Sequence, residues 1–329
     1  MENFKKLFQQ FSSLKVGVVG DVMLDTYMWG SVDRISPEAP VPIVSLKKKE
    51  LRIGGAGNVA LNLQSLGAKA FVISVMGDDS EADKLKDLYA EFDINCAYCF
   101  RSQKRITTSK TRVISRNQHM MRLDAEIIDD LDQKDQQQVI ELFEKFVEKE
   151  KPDVVILEDY NKGVLTEAVI QVALSICKNK GIVTAVDPKR KNFFVYKNVD
   201  LFKPNLKEIR EALNILITEI DPHVLQDIHS ELYHLLHHQV SLITLSEKGV
   251  FYQQDNKSGI IPSHLRNIAD VSGAGDTVIA VAALVYAASK NVYLMAEIAN
   301  IAGGLVCEDV GTVAIDKLKL FHECELLLS

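Results

Sequence analysis

Asp270-Val271-Ser272-Gly273-Ala274-Gly275-Asp276-Thr277 runs directly into Val278-Ile279-Ala280-Val281-Ala282-Ala283-Leu284-Val285-Tyr286-Ala287-Ala288, and this junction organises the reading of the chain. The second stretch is apolar on every face, which predicts a helix buried on all sides. Two glycines and a carboxylate therefore stand at its positive end. The first N–H groups of a helix have no intrahelical partner and point outward, so they form an anion site. Asp is also an ordinary helix cap and Gly an ordinary tight-turn residue. Alone, the segment fits a plain cap and a phosphoryl-transfer centre equally.

A second glycine-rich element lies far upstream. Gly54-Gly55-Ala56-Gly57-Asn58-Val59-Ala60 is followed by Leu61-Asn62-Leu63-Gln64-Ser65-Leu66 and Gly67. Val59, Ala60, Leu63 and Leu66 share one helical face, and Gly67 suits a C-terminal cap. The glycines permit close approach to a ligand, and Asn58 both donates and accepts hydrogen bonds, which suits sugar hydroxyls. A tight loop packing a helix onto a sheet is the alternative for this element taken singly. No G-x-G-x-x-G follows a strand here, so it is not a dinucleotide fingerprint.

Together the two elements resemble the paired signatures of the PfkB (ribokinase-like) carbohydrate kinases. The first fits from Gly54 through Gly67 to Gly77, the second from Ser272 to Asp276, and the match spans nearly the whole chain. The resemblance implies a ribokinase-like α/β three-layer sandwich with a mostly parallel central sheet and a small β lid. It also implies that Asp276 is the general base and that the amides of Gly273, Ala274 and Gly275 form the anion hole.

Composition sets limits. The 329 residues, 47% hydrophobic, suffice for one large domain, expected over 1–329. A formal net charge of −7 argues against nucleic acid or an anionic membrane as partner. No apolar run reaches membrane-spanning length, and residues 1–13 are polar and amphipathic rather than a signal peptide. Five scattered cysteines fit a reducing cytoplasm.

Five short apolar runs, at 15–20, 70–75, 153–157, 182–186 and 241–245, read as strands buried on both faces, hence a parallel sheet. Helices are expected at 81–92, 133–149 and 166–179. Polar residues follow the strands directly: Asp21, Glu158-Asp159, Asp187-Pro188-Lys189, Lys203-Pro204-Asn205 and Ser246-Glu247-Lys248-Gly249. Ligands of open α/β sheets bind beyond the strand C-termini, although turn chemistry alone places some Asp, Asn and Gly there. Residues 28–49, with three prolines, and 96–123, rich in Thr, Val and Ile, break the alternation and read as the lid strands. In the family such a lid covers the sugar and often serves as a dimer interface, so a homodimer is expected.

The lid segment carries Arg101, Lys104, Arg105, Lys110, Arg112, Arg116 and Arg122. Most suit a solvated strand face. Arginine concentrated over the sugar site of an acidic protein nevertheless points to an anionic substrate, since the guanidinium fork suits phosphate. Val18-Val19-Gly20-Asp21-Val22-Met23-Leu24-Asp25, Arg34-Ile35-Ser36-Pro37-Glu38-Ala39-Pro40-Val41-Pro42 and Ser115-Arg116-Asn117-Gln118 resemble the heptose 7-phosphate kinase branch. So do Arg122-Leu123-Asp124, Asp159-Tyr160-Asn161-Lys162-Gly163 and Asp187-Pro188-Lys189.

That branch phosphorylates D-glycero-D-manno-heptose 7-phosphate at its anomeric hydroxyl, on the way to ADP-heptose for lipopolysaccharide core. Many members carry a C-terminal nucleotidyltransferase domain. No H-x-G-H occurs in this sequence, so adenylyl transfer is expected to reside in a separate protein. The resemblance implies ATP beside Asn205, Leu206, Lys207, Glu208, Ser246, Glu247 and Gly249. Mg²⁺ is expected near Asn205 and Glu208 through phosphates and water, and a monovalent cation is a further candidate. Asp21, Asp25, Gly54, Gly55 and Asn58 are expected to hold the sugar, and Arg112, Arg116, Lys162 and Lys189 to supply its phosphate ligands. A ribokinase- or fructokinase-like enzyme is the alternative, and a non-catalytic sugar-binding regulator a third class. Cys96-Ala97-Tyr98-Cys99 lacks a second ligand pair and reads as lid strand; His234 and His238 read as a solvated helix face.

Overall fold

A computed structural model describes residues 4–116, 118–217 and 219–328. Asn117, within the Ser115 to Gln118 motif, lies outside the described residues, as do the first three of the amphipathic start. In chain order the strands are β1 (Lys15–Gly20), β2 (Val22–Ile35), β3 (Pro42–Gly55), β4 (Lys69–Gly77), β5 (Asn95–Ser102), β6 (Ser109–Ser115), β7 (Gln118–Ala125), β8 (Val154–Glu158), β9 (Val183–Asp187), β10 (Leu201–Phe202), β11 (Val240–Thr244), β12 (Val250–Gln254) and β13 (Lys257–Ile261). The helices are α1 (Phe4–Gln10), α2 (Ala56–Ser65), α3 (Ser80–Glu91), α4 (Gln133–Glu150), α5 (Glu167–Lys180), α6 (Leu206–Leu213), α7 (Pro222–Leu236), α8 (Ala274–Ser289), α9 (Val292–Val306) and α10 (Lys317–Leu328).

The main sheet has the order β13-β12-β11-β10-β9-β8-β1-β4-β5. Strands β5 to β11 of that order run parallel, and β12 and β13 close one edge as antiparallel strands. β1 leads outward to β4 and β5 on one side, while β8 to β11 build outward on the other. The direction of winding thus reverses between β1 and β8, and the crevice beyond that switch point is where an open α/β sheet takes its ligand.

The expected strands are those of the sheet interior because their unbroken Val/Ile/Leu runs are covered twice. One core lies under α2, α8 and α9, the other under α4, α5 and α7. Helix α8 is buried without interruption from Asp276 to Tyr286, as its all-round apolarity predicts. Each fully buried Val, Leu or Ile there contributes about 1.5–3 kcal/mol, so the helix start carrying Asp276 is rigidly seated. Among the described residues no helix is long and apolar enough to cross a membrane.

The lid is a four-stranded sheet, order β3-β2-β6-β7, and its limits differ from those expected. β2 leaves the main sheet at Val22 and β3 returns at Gly55, so the lid is rooted within the core. The first residues of β2 and the last of β3 are buried, so no polar face marks them as lid. Residues 96–102, expected in the lid, belong instead to β5, paired in parallel with β4 at the sheet edge. An edge strand covered on one side shows the same single polar face as a lid strand. Cys96 and Cys99 therefore lie on the main sheet, and all five cysteines are free. His238 is not solvated either: it is buried, with Nε2 2.6 Å from Ser241 Oγ, and His229 Nδ1 approaches the same oxygen at 2.8 Å.

Candidate active site

Two helix starts face each other across the end of β1. Gly55 precedes α2 with φ of 60°, and Gly273 precedes α8 with φ of 80°. A Cβ on Gly273 would stand 2.8 Å from Asn58 Nδ2, so glycine is what lets α8 approach α2. Asn58 is thereby brought onto the carboxylate 218 positions away: its Nδ2 donates to Asp276 Oδ2 at 2.7 Å. The other oxygen, Oδ1, accepts from the Tyr160 hydroxyl at 2.6 Å. Behind them, the Thr277 hydroxyl donates to Asn62 Oδ1, which also receives the Ile315 N–H.

Asp276 is 3% exposed, and burial pushes its carboxyl up to about 6. The Tyr160 and Asn58 donors favour the ionised form, Asp187 opposes it, and Lys203 favours it again. A carboxylate has about four acceptor positions. Two are filled, leaving room for a ligand hydroxyl.

On the β9 and β10 side of the switch point lies a ladder of charge. Lys203 is buried with Nζ 2.8 Å from Asp187, and Lys189 reaches the other Asp187 oxygen at 3.1 Å and Glu208 at 2.6 Å. Burial raises the Asp187 carboxyl, but the two lysines outweigh it and hold it below the ordinary range. A Cβ on Gly275 would lie 3.7 Å from Lys203 Nζ, so this ammonium adjoins the positive end of α8. Asn205 caps α6 and forms a capping box with Glu208. Ser246 and Glu247 begin a short 3-10 turn after β11, and Gly249 (φ 96°) ends it with no room for a Cβ against the Ile261 carbonyl. Leu206 packs on the core, and the exposed Lys207 side chain turns away toward Glu211, at 3.8 Å.

On the lid side Asp25 is buried and takes Arg112 Nη1 at 2.7 Å. Gly54 crosses closely, since a Cβ there would stand 2.7 Å from Asp25 Oδ2. Arg112 and Arg52 lie over the Tyr27 ring, 5.1 and 4.7 Å from its centroid. Arg52 continues to the carbonyls of Val310 and Thr312, and the Tyr27 hydroxyl accepts the Thr312 N–H.

Several expected ligands are engaged within the protein. Asp21 accepts the backbone N–H groups of Tyr160, Lys162 and Val164 at 2.9, 3.0 and 3.0 Å, so its carboxylate holds the loop after β8. Of the basic pool, Arg112 pairs with Asp25, Lys162 with Glu126, and Lys189 with Asp187 and Glu208. Arg116 is exposed on the turn after β6, with φ of 50°. Glu158, which the sequence marked only as a strand-end residue, is fully buried with neither carboxyl oxygen hydrogen-bonded. Burial, then Asp187 and Asp276, push that carboxyl far up and favour its protonated form. Tyr160 carries no role in the Asp159 to Gly163 motif, and Lys203 shows in the sequence only as a polar residue after a strand; the pairing of Lys203 with Asp187 comes from strand order.

The family model for pfkB family carbohydrate kinases matches residues 13–318. The chain is 40% identical over 303 residues to the bifunctional protein HldE of Aliarcobacter butzleri, covering 92% of this chain and 63% of that protein. It is 39% identical over 313 residues to the bifunctional protein HldE of Desulfatibacillum aliphaticivorans, covering 94% and 63%. The chain thus spans under two thirds of the length of either relative. In fold it is similar to phosphofructokinase-2 from Escherichia coli in complex with substrates and products (TM-score 0.79, 17% identity, 95% of this chain and 99% of that one). It is also similar to Arabidopsis thaliana ribokinase complexed with ribose and ATP (TM-score 0.71, 15% identity, 94% and 98%).

Proposed function

The chain belongs to the pfkB family of carbohydrate kinases and is a phosphotransferase with an alcohol group as acceptor, and from this we propose that it phosphorylates the anomeric hydroxyl of D-glycero-D-manno-heptose 7-phosphate with ATP. The observation that carries the reading is the meeting of Asp276 with Asn58. A carboxylate at a buried helix start faces the glycine-rich loop suited to a sugar, beside the switch point of the sheet. The motifs at Arg34 to Pro42 and Asp159 to Gly163 support the heptose phosphate as acceptor.

In this reading the sugar lies between Asp25, Gly54, Gly55 and Asn58 under the lid. ATP lies along the ends of β9, β10 and β11, near Asn205, Glu208 and the Ser246 turn. Asp276 accepts the proton of the anomeric O–H. The sugar oxygen bonds to the γ-phosphorus, the bond to the β-γ bridging oxygen breaks, and ADP leaves. The N–H groups of Gly273 and Gly275 and the nearby Lys203 stabilise the transferring group, joined by the Ala274 N–H once it leaves the Val271 carbonyl it meets at 3.3 Å; positioning and charge neutralisation do most of the work in so loose a transition state. For Mg²⁺ the donor set fits indirectly. Glu208 already receives the Asn205 N–H and Lys189, and Mg²⁺ keeps several waters beside one or two carboxylates and substrate phosphates. Bound there, it would supply charge neutralisation of the phosphates.

The substrate phosphate is assigned to Arg112, which spends a single guanidinium nitrogen on Asp25, with Lys162, Lys189 and Arg116 as further candidates. The internal pairing of most of this pool favours a second reading, an unphosphorylated sugar. A homodimer through the lid is supported by Met121 and Leu123, 57% and 55% exposed on one face of β7. An adenylyl transfer step, fused or separate, would consume the product, and a cytoplasmic site fits the thiols. ADP release measured with MgATP against heptose 7-phosphate, fructose 6-phosphate, fructose and ribose tests the proposal. The heptose phosphate is expected to give the highest kcat/KM; a preference for ribose or fructose overturns it in favour of the second reading.

A further inference from the structure

We propose that Tyr160 is a positioning residue for the base: its hydroxyl and the Asn58 amide clamp the two oxygens of Asp276, fixing the plane of that carboxylate and keeping it a proton acceptor. This rests on the reading of Asp276 as general base. The two bonds, 2.6 and 2.7 Å, approach different oxygens from different elements, the loop after β8 and helix α2. Rotation of the carboxylate breaks both together, so each donor makes the other effective.

The tyrosine is itself held. Its backbone N–H is tied to Asp21, and Asp159 before it accepts from Tyr196 and the Asn161 N–H. The Lys189 ammonium stands 5.6 Å from the ring centroid, where it strengthens the phenol as a donor. A neutral donor is what a base requires here. Lysine at this place would pair with the carboxylate as an ion and depress its basicity, whereas a phenol stabilises the anion and leaves its charge in place.

Burial and Asp187, at the end of β9, both disfavour ionised Asp276, and Glu158 is close enough for its own ionisation to be opposed by Asp276. Lys203, after β10, works the other way. With the Tyr160 donor removed, burial and Asp187 act with less opposition and the carboxyl rises further.

Tyr160→Phe keeps the ring and deletes the donor. The acid limb of kcat/KM against pH, measured with MgATP and whichever sugar of the panel above is turned over, is expected to move up by about one to two pH units. From a carboxyl near 6, activity at pH 6.5 then falls by about 3- to 25-fold and largely returns by pH 9. A limb unmoved from wild type, or a loss equal at every pH, overturns the proposal. Asp276→Asn separates the two claims: if it stays active, the base assignment fails; if it is inactive while Tyr160→Phe keeps the wild-type limb, the clamp alone fails. Should Tyr160→Phe not fold, 3-fluorotyrosine at the tyrosines supplies a stronger donor. It is expected to move the limb down, and an unmoved limb again overturns the proposal.

Discussion

Two buried aspartates stand on either side of Tyr160. Asp21 takes its backbone N–H together with those of Lys162 and Val164; Asp276 takes its hydroxyl together with the Asn58 amide. Burial pushes both carboxyls up to about 6, with Asp159 adding to the rise at Asp21. Their ionisation is alike, and their donors are not. Backbone donors belong to the chain path, so Asp21 is a clasp whose loss frees the loop. Side-chain donors at a helix start leave the backbone independent of Asp276 and leave its remaining lone pairs open. On the proposed mechanism, then, the kind of donor, and not the shift in acidity, separates the clasp at Asp21 from the base at Asp276.

The sharpest way to break this comparison is to make the same change at both. Asp276→Asn is expected to lower kcat by about 10²–10⁴-fold, the range of a positioned base, with the melting temperature unchanged or raised. Asp21→Asn turns an amide NH₂ toward a backbone N–H. It is expected to cost about 1–3 kcal/mol per orphaned donor, read by urea denaturation, with a smaller effect on kcat. Equal losses of activity, or of stability, in the two variants would erase the distinction.

A next test concerns the lid side, where a third buried aspartate has an ionic partner. Arg112→Met strands Asp25 and is expected to destabilise the fold by about 3–5 kcal/mol. Adding Asp25→Asn is expected to restore part of that in urea melts, because the uncompensated charge is gone. Sugar-phosphate KM stays raised in both variants if Arg112 touches the substrate phosphate. Restored stability with restored KM would make the pair purely structural.

The sequence carried the parts of this site whose signal is local. Both glycine-rich junctions, the all-round apolarity of α8 and the parallel core strands can be read from neighbours within a dozen residues. What it concealed depends on strand order. Arg112 meets Asp25 only because β6 lies parallel to β2, and Lys203 meets Asp187 only because β10 joins β9. A count of lid arginines therefore registers charge without registering that much of it is already paired. Tyr160 has no role legible in the Asp159 to Gly163 motif, since nothing local shows that its hydroxyl points at a residue 116 positions on. The lid root was missed for the opposite reason: residues 22–27 look like core because they are core.

The smallest expected effect sharpens the comparison through pH. A carboxyl raised in the folded state above its unfolded value of 3.8 favours folding at low pH, and that advantage is lost as pH rises through about 6. Ionised Asp276 therefore costs the wild type stability at pH 7, and Asp276→Asn should be the more stable protein there. The gap should close as pH falls from 6 toward 4, where both side chains are neutral. His238 runs the other way in both proteins. Burial, then His229, hold it down to about 3, so the unfolded chain takes up its proton first and stability falls as pH drops below 6.5. Because that loss is common to both, it cancels in the difference between their unfolding free energies, measured from pH 7 to 4. A gap that stays constant across this window would mean that Asp276 is not held as a raised carboxyl, and that its likeness to Asp21 in acidity, on which the comparison of donors stands, does not hold.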